Sequence, residues 1–492
     1  MQRRSLLRTA GCALSVSAIA RPDVSWRQGD TDGDAYEPLG RVDVDGAAEA
    51  VVGDDGDTAY LATTTGFATV DVSDPADPAV LATERRLEVA DVPLMEILDV
   101  TVDGDRLVVP GPANQGPDSI FHGFFCFDVS DPSEPALIGD PYETGYHIHN
   151  CYLDGETLYV VRNELTENTL EVFDVGDGVE QIGSWSLLEH EPGWADIDWL
   201  ARYLHDVYVH DDVAYLAHWN PGTYLLDVSD PSEPEYMSHV RETDLETQRE
   251  RDDDEAQFGL PGNDHYAAVD ETGDLLAVGR EAWATGGDEP DRPGGIDLYD
   301  VSDPDDPEHR ATIDAPRAID ESYAGGLWTT AHNFELRDGE LYSSWYRGGV
   351  AIHDVSDPAE PVERARWLEP ETAGFWTARV ADPGSVFVAS STPVIPNSPT
   401  EGALYTVPIE AGEQADPPSL TDPDDLEVPD GVASEPNATD DGDATEASSQ
   451  ASDDPSTADA ASSDDPMAGF TATGAAVAGG VVGLEWLRRR RQ

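Results

Sequence analysis

Four of the chain's 12 histidines, His149, His205, His265 and His332, recur near the start of successive apolar segments. His149, His205 and His332 are followed by Asn150, Asp206 and Asn333, while Asp264 precedes His265. Aligned on the turns that follow them, the four share one register, His265 after a one-residue adjustment. The same register holds Ala50, Leu98 and Thr377 in the remaining segments. Neutral imidazoles converging on one axis suit copper or zinc, with neighbouring carboxylates and amides orienting them. His147 shares a strand face with His149 and is the weaker fifth member. From the segments that follow, Arg162, His218, Arg280, Glu281 and Arg347 are placed to reach the same region and to contact a ligand. The competing reading is that one ancestral repeat carried a structural histidine and its copies inherited it.

The elements that must position these residues are announced by a repeated phrase. Asp71-Val72-Ser73-Asp74-Pro75 recurs at 128–132, 227–231, 300–304 and 354–358. Degenerate copies stand at Phe173-Asp174-Val175 and Tyr405-Thr406-Val407. Spacings of 46 to 73 residues are those of a repeat architecture built from blades. In each phrase Asp and Ser bond back to local backbone, Pro fixes the turn, and a second Pro (Pro78, Pro135, Pro234, Pro307, Pro361) restarts an extended chain. Upstream stand tight hairpin turns at Asp103-Gly104, Asp154-Gly155, Asp211-Asp212 and Asp338-Gly339. Each unit therefore has four strands, and the phrase resembles the repeat of the LVIVD family, whose units form β-propellers. The resemblance covers residues 36–410 and implies an all-β, seven-bladed propeller. The seventh unit lacks a fourth strand, whereas Glu37-Pro38-Leu39-Gly40-Arg41-Val42 reads like an orphan fourth strand. That N-terminal strand should complete the last blade and close the ring.

Alternating strand directions put the tight turns on one face and every long insertion (111–120, 186–204, 241–264, 281–295, 314–331) on the other. The loop-rich face, with the histidines at its channel mouth, is the expected working face. Trp194, Trp199, Trp219, Trp283, Trp328 and Trp345 cluster in or beside these insertions, as loop anchors or as a stacking platform for a sugar or peptide.

Composition bounds the setting. There are 101 Asp plus Glu against 27 basic residues, all Arg, for a formal charge of −74. In molar salt the screening length falls to about 3 Å, so such a surface keeps hydration without tearing the fold apart. No basic patch exists to neutralise phosphates, which argues against nucleic acid as a partner. Cys126 and Cys151 lie in apolar runs, as buried thiols or as one inter-blade disulfide. Asp30-Thr31-Asp32-Gly33-Asp34 mimics the start of a calcium loop, but Arg41 stands where its bidentate Glu belongs.

The two ends describe an exported protein. Arg3-Arg4-Ser5-Leu6-Leu7-Arg8 and a short apolar run to Ala20 match a twin-arginine export leader, residues 1–20. Residues 411–466 read as a disordered acidic Ser/Thr/Pro spacer carrying one sequon, Asn437-Ala438-Thr439. Residues 467–487 are long enough, at about 1.5 Å each, to span a membrane as an anchor helix. The tail at 488–492, with Arg488 to Arg491, marks the cytoplasmic side. This layout resembles haloarchaeal surface proteins with sorting tails of the PGF-CTERM type, with Ala468-Gly469-Phe470 at the motif position. Together these features predict a cell-surface-anchored, monomeric ring acting as a binding scaffold for an extracellular protein, glycan or small molecule. The alternative is a copper- or zinc-dependent extracellular enzyme, redox or hydrolytic, working through the histidines.

Overall fold

The computed structural model describes residues 35–423, apart from 118, 287–290 and 397. Local turn chemistry sets its layout. In all five full phrases the first Asp accepts from the Ser two residues on: Ser73, Ser130, Ser229, Ser302 and Ser356 each donate their backbone N–H at 2.9–3.1 Å. The second Asp accepts in the same way from Ala76, Ser133, Ser232, Asp305 and Ala359. At the hairpin turns Asp211 and Asp212 have φ of 45° and 66°, and Asp338 and Gly339 have 55° and 78°. These are the left-handed conformations a two-residue hairpin needs.

Between such turns the chain forms seven antiparallel blade sheets, six of four strands and the second of five. From the inside outward the first blade is Ala50–Val52, Thr58–Ala62, Gly66–Asp71 and Ala79–Arg85. The innermost strands of the next five are Thr101–Asp103, Cys151–Asp154, Leu204–His210, Asp264–Val269 and Phe334–Arg337. In the second blade the outer edge is broken into Ala136–Leu137 and Tyr142–Glu143, both pairing with Gly123–Asp128. The seventh blade is Phe375–Asp382, Val386–Ser391, Ala403–Pro408 and, from the other end of the described chain, Gly40–Asp43. Gly40, Arg41, Val42 and Asp43 pair with Thr406, Tyr405, Leu404 and Ala403, so the N-terminal strand closes the ring as its sequence suggested.

The two middle strands of the first blade are almost wholly buried, whereas its outer strand Ala79–Arg85 is largely exposed. Apolar packing runs between blades: Ala59, Leu61 and Val70 of the first meet Val386, Val388 and Leu404 of the last. The Asp-Val-Ser-Asp-Pro turns contribute to this packing. The Pro75, Pro132 and Pro304 carbonyls accept from Thr406, Thr69 and Ser238 of the preceding blade, a tie the sequence alone did not reveal.

The short helices Leu187–His190, Leu245–Glu250 and Asp253–Phe258 all lie in the long insertions. Residues 411–422, assigned by composition to the spacer, run on along the sixth blade. Gln414 bonds Leu368 both ways, and Leu420 packs on Leu327 and Leu368. Cys126 and Cys151 are buried free thiols. The leader, the calcium-like Asp run, most of the spacer and the anchor segment lie outside the described residues.

Candidate metal centre

The four histidines meet. Ring centres of His149 and His205 are 4.1 Å apart, those of His205 and His265 3.7 Å, and those of His265 and His332 4.5 Å. They form an arc across four consecutive blades. Strand geometry explains the inward aim of the middle two. Strand pairing shifts register between Leu204 and Asp206 and again between Asp264 and Tyr266, so His205 and His265 are each the extra residue of a β-bulge. A bulge turns two successive side chains to one side of a strand, which frees the histidine from the usual alternation. His149 and His332 stand just ahead of their strands.

The ladder partners also correct two register members. Ala48 and Trp376, rather than Ala50 and Thr377, complete the layer with Leu98. The first blade carries a longer hairpin turn, Asp54 to Asp57, and the last has its own bulge between Phe375 and Thr377. The layer thus holds four imidazoles and three apolar side chains.

Hydrogen bonds fix the state of two rings. Nδ1 of His149 lies 2.9 Å from the Ala113 carbonyl, and Nδ1 of His332 lies 2.5 Å from the Trp376 carbonyl. A carbonyl only accepts, so the proton sits on Nδ1 and Nε2 carries the lone pair. Burial drives His149 down to about 4, its Ala113 bond opposing and His265 reinforcing the shift. His205 is pushed well below the usual range by burial and by His265 and His149, and His332 by burial and His265. These three rings are neutral at neutral pH, the form that ligates metal.

His205 and His265 lack the partners the outer two have. Nδ1 of His205 and Nε2 of His265 are buried without a hydrogen bond. The Glu281 carboxylate lies 3.2 Å from Nδ1 of His265, and its other oxygen accepts from the Tyr346 hydroxyl. Ligand atoms of His205, His265 and Glu281 all fall within 4.8 Å of one another.

Of the residues expected to reach this region, Glu281 alone does so by contact. Arg162 is engaged by Glu164, Glu167 and Glu171, and Arg280 by Asp264 and Asp297. His218 is buried against Trp185 and Tyr224, and burial lowers it to about 3. Arg347 donates to the Pro370 carbonyl at 2.6 Å. Each is occupied in holding blades or loops together. His147 sits one step out, its Nε2 2.7 Å from the Tyr203 hydroxyl. Tyr203 in turn packs edge-on to His149 at 6.0 Å. Asn150, Asp206 and Asn333 form a separate layer lining an axial cavity. Tyr346, Tyr203 and Trp376 were not legible as site residues, because each comes from a strand end or insertion with no repeat signature.

The site is not an open mouth. His265 and His332 are each 2% exposed. Trp376 and Tyr346 pack on His332 at 4.3 and 4.7 Å, and Trp219 stacks on His205 at 6.3 Å. Trp194, Trp283, Trp328 and Trp345 are buried as well, and Trp199 is half-buried, so these indoles anchor the insertions.

Seven sheets around an axis define a β-propeller. Three segments, 51–83, 121–144 and 201–242, match the LVIVD repeat; they fall in the first, second and fourth blades. A search of curated proteins finds no sequence match to the chain. Among solved structures the chain is similar to the Cps50 (Swd1) β-propeller domain of Myceliophteria thermophila, at 9% identity and a TM-score of 0.50 over 75% of this chain and 98% of that one. It is also similar to the Pan2 WD40 domain of Neurospora crassa, at 9% identity and 0.47 over 78% and 99%. A hypothetical selenium-binding protein from Sulfolobus tokodaii gives 14% identity and 0.46 over 68% and 82%. At such identities the likeness is one of fold.

Proposed function

We propose that this propeller binds a transition metal, copper or zinc, in the layer of His149, His205, His265 and His332. The observation that carries the reading is the set of orphaned nitrogens on His205 and His265. A buried polar atom without a partner costs about 1–3 kcal/mol, and here such nitrogens of two adjoining rings lie beside one carboxylate. Imidazole with one carboxylate suits copper or zinc. Tyr346, Glu281 and His265 form the hydroxyl–carboxylate–imidazole chain that orients a ligating ring and raises its basicity. When bound, such a metal supplies Lewis-acid chemistry or, for copper, redox chemistry. The test is elemental analysis of protein purified in its working salt without chelator, beside the His205→Ala/His265→Ala variant. About one copper or zinc per chain, lost in the variant, is expected. Equal trace metal in both would overturn the assignment.

The termini support a setting outside the cell. The twin-arginine leader at 1–20 and the apolar segment 467–487 favour export and attachment at the outer face of the membrane. There the loop-rich face would be free to meet an extracellular protein, glycan or small molecule. Among the described residues no helix is long and apolar enough to cross a membrane, and the anchor segment is not among them. Deleting 467–487 should move the protein from the membrane fraction to the medium; retention in the membrane would refute the anchor.

A further inference from the structure

Beneath the imidazoles the axis is lined with oxygen. The residues one step on from the histidine register are Glu49, Asp99, Asn150, Asp206, Tyr266, Asn333 and Thr377, one from each blade, and all are buried. Six of them border a cavity of about 790 Å³, which opens on the tight-turn face among Asp54, Asp55 and Asp382. Much of this layer is internally satisfied. Glu49 accepts from Arg379 at 2.8 Å, from Thr377 at 3.1 Å and from the Asn333 amide at 2.6 Å. The Asn150 oxygen accepts from the Val207 N–H at 3.0 Å, and one Asp99 oxygen from the Cys151 N–H at 2.9 Å.

Two acceptors are left over. Asp206 Oδ1 and Asn333 Oδ1 are buried with no donor. The Asn333 assignment is forced, because its nitrogen must face the Glu49 carboxylate. Of the two guanidinium groups bordering the cavity, Arg379 is taken up by Glu49, the Phe334 carbonyl and the face of Tyr266, and Arg337 lies 3.4 Å from Glu335. Among the described residues neither Asp99 nor Asp206 has an ion-pair partner. Two buried carboxylates without an ion-pair partner, reached by the Arg379 charge only at a distance, lie beside an unpaired amide oxygen and can take a cation.

We propose that Asp99, Asp206 and Asn333, from alternate blades, hold a hard divalent cation, calcium or magnesium, in the axial cavity beneath the histidine layer. The donors are all oxygen, which selects against copper and zinc and for the hard ions. Three protein oxygens leave most positions of such an ion to water, which hard divalent cations keep readily. The cavity has room for that water. This site stands independently of the transition-metal reading, since it shares no ligand with it.

The experiment uses the full chain, stripped of metal and held in about 1 M KCl so that surface carboxylates are screened. Calorimetric titration with calcium chloride and with magnesium chloride is compared between wild type and Asp99→Asn/Asp206→Asn. Wild type should take up one calcium or magnesium per chain that the double variant does not, and its melting temperature should rise with the cation. Copper or zinc uptake should be the same in both. Asn333→Ala, which keeps both carboxylates, guards against a folding defect and should bind roughly tenfold more weakly. Equal calcium and magnesium uptake by all three proteins would overturn the site. So would uptake abolished by His205→Ala/His265→Ala and untouched by the Asp pair.

Discussion

The imidazoles of His205 and His265 come from neighbouring blades and lie 3.7 Å apart, centre to centre, each thrown inward by a β-bulge. Both are buried, and both carry nitrogen atoms with nothing to bond. Two imidazoles packed this closely, each with a buried unbonded nitrogen, are a poor structural contact and a good pair of ligands, and this contrast underlies the first expectations.

Glu281 should tune the centre without being essential to it. It lies 3.2 Å from Nδ1 of His265 and is held by Tyr346. Glu281→Gln should weaken copper or zinc binding by about 10–100-fold, the usual effect of losing a supporting carboxylate. Competition against a chromophoric chelator measures it. An unchanged affinity would detach Glu281 from the centre.

Ring closure should be sensitive at Gly40. A Cβ there would meet the Pro75 carbonyl and, at 2.6 Å, Cδ of Pro78. Gly40→Ala forces the closing strand away from the first blade's turn. The expected cost is about 1–3 kcal/mol, that of overpacking a tight contact, read by urea unfolding.

The Glu191–Arg241 pair should make stability depend on acid. Burial raises the Glu191 carboxyl, but hydrogen bonds from Arg241 and Tyr224 outweigh this and hold it down at about 2, against an ordinary 4.5. A depressed folded-state value adds stability that is fully present above the ordinary value and is lost as pH falls toward 2. Glu191→Gln should therefore melt below wild type at neutral pH. The gap should shrink between pH 4.5 and 2. A gap that stays constant to pH 2 would rule out the ionised pair as its source.

Salt should act on the whole ring. With a formal charge of −74, melting temperature should climb as ionic strength rises from about 0.1 M to about 1 M, where the screening length drops from about 10 Å to about 3 Å. Thermal melts across that series read the effect directly. A flat response would mean that self-repulsion is already balanced within the fold.

The sequence by itself determined the ring. The Asp-Val-Ser-Asp-Pro turns, the Asp-Gly hairpins and the orphan strand at 37–42 are local signals, each acting over a few residues, so blade count, strand order and closure through Gly40–Asp43 could be read from them. The shared histidine register was legible for the same reason. What only the tertiary structure decided is how that register is used. The bulges at His205 and His265 depend on pairing with the next strand, and the covering of the layer by Trp219 and Tyr346 depends on how the chain folds back at the ends of strands in neighbouring blades. The division of the axis into a nitrogen layer and an oxygen layer arises from contacts between blades, such as Asn333 to Glu49 across 284 residues of chain. No local pattern carries that information, because it exists only once the ring is closed.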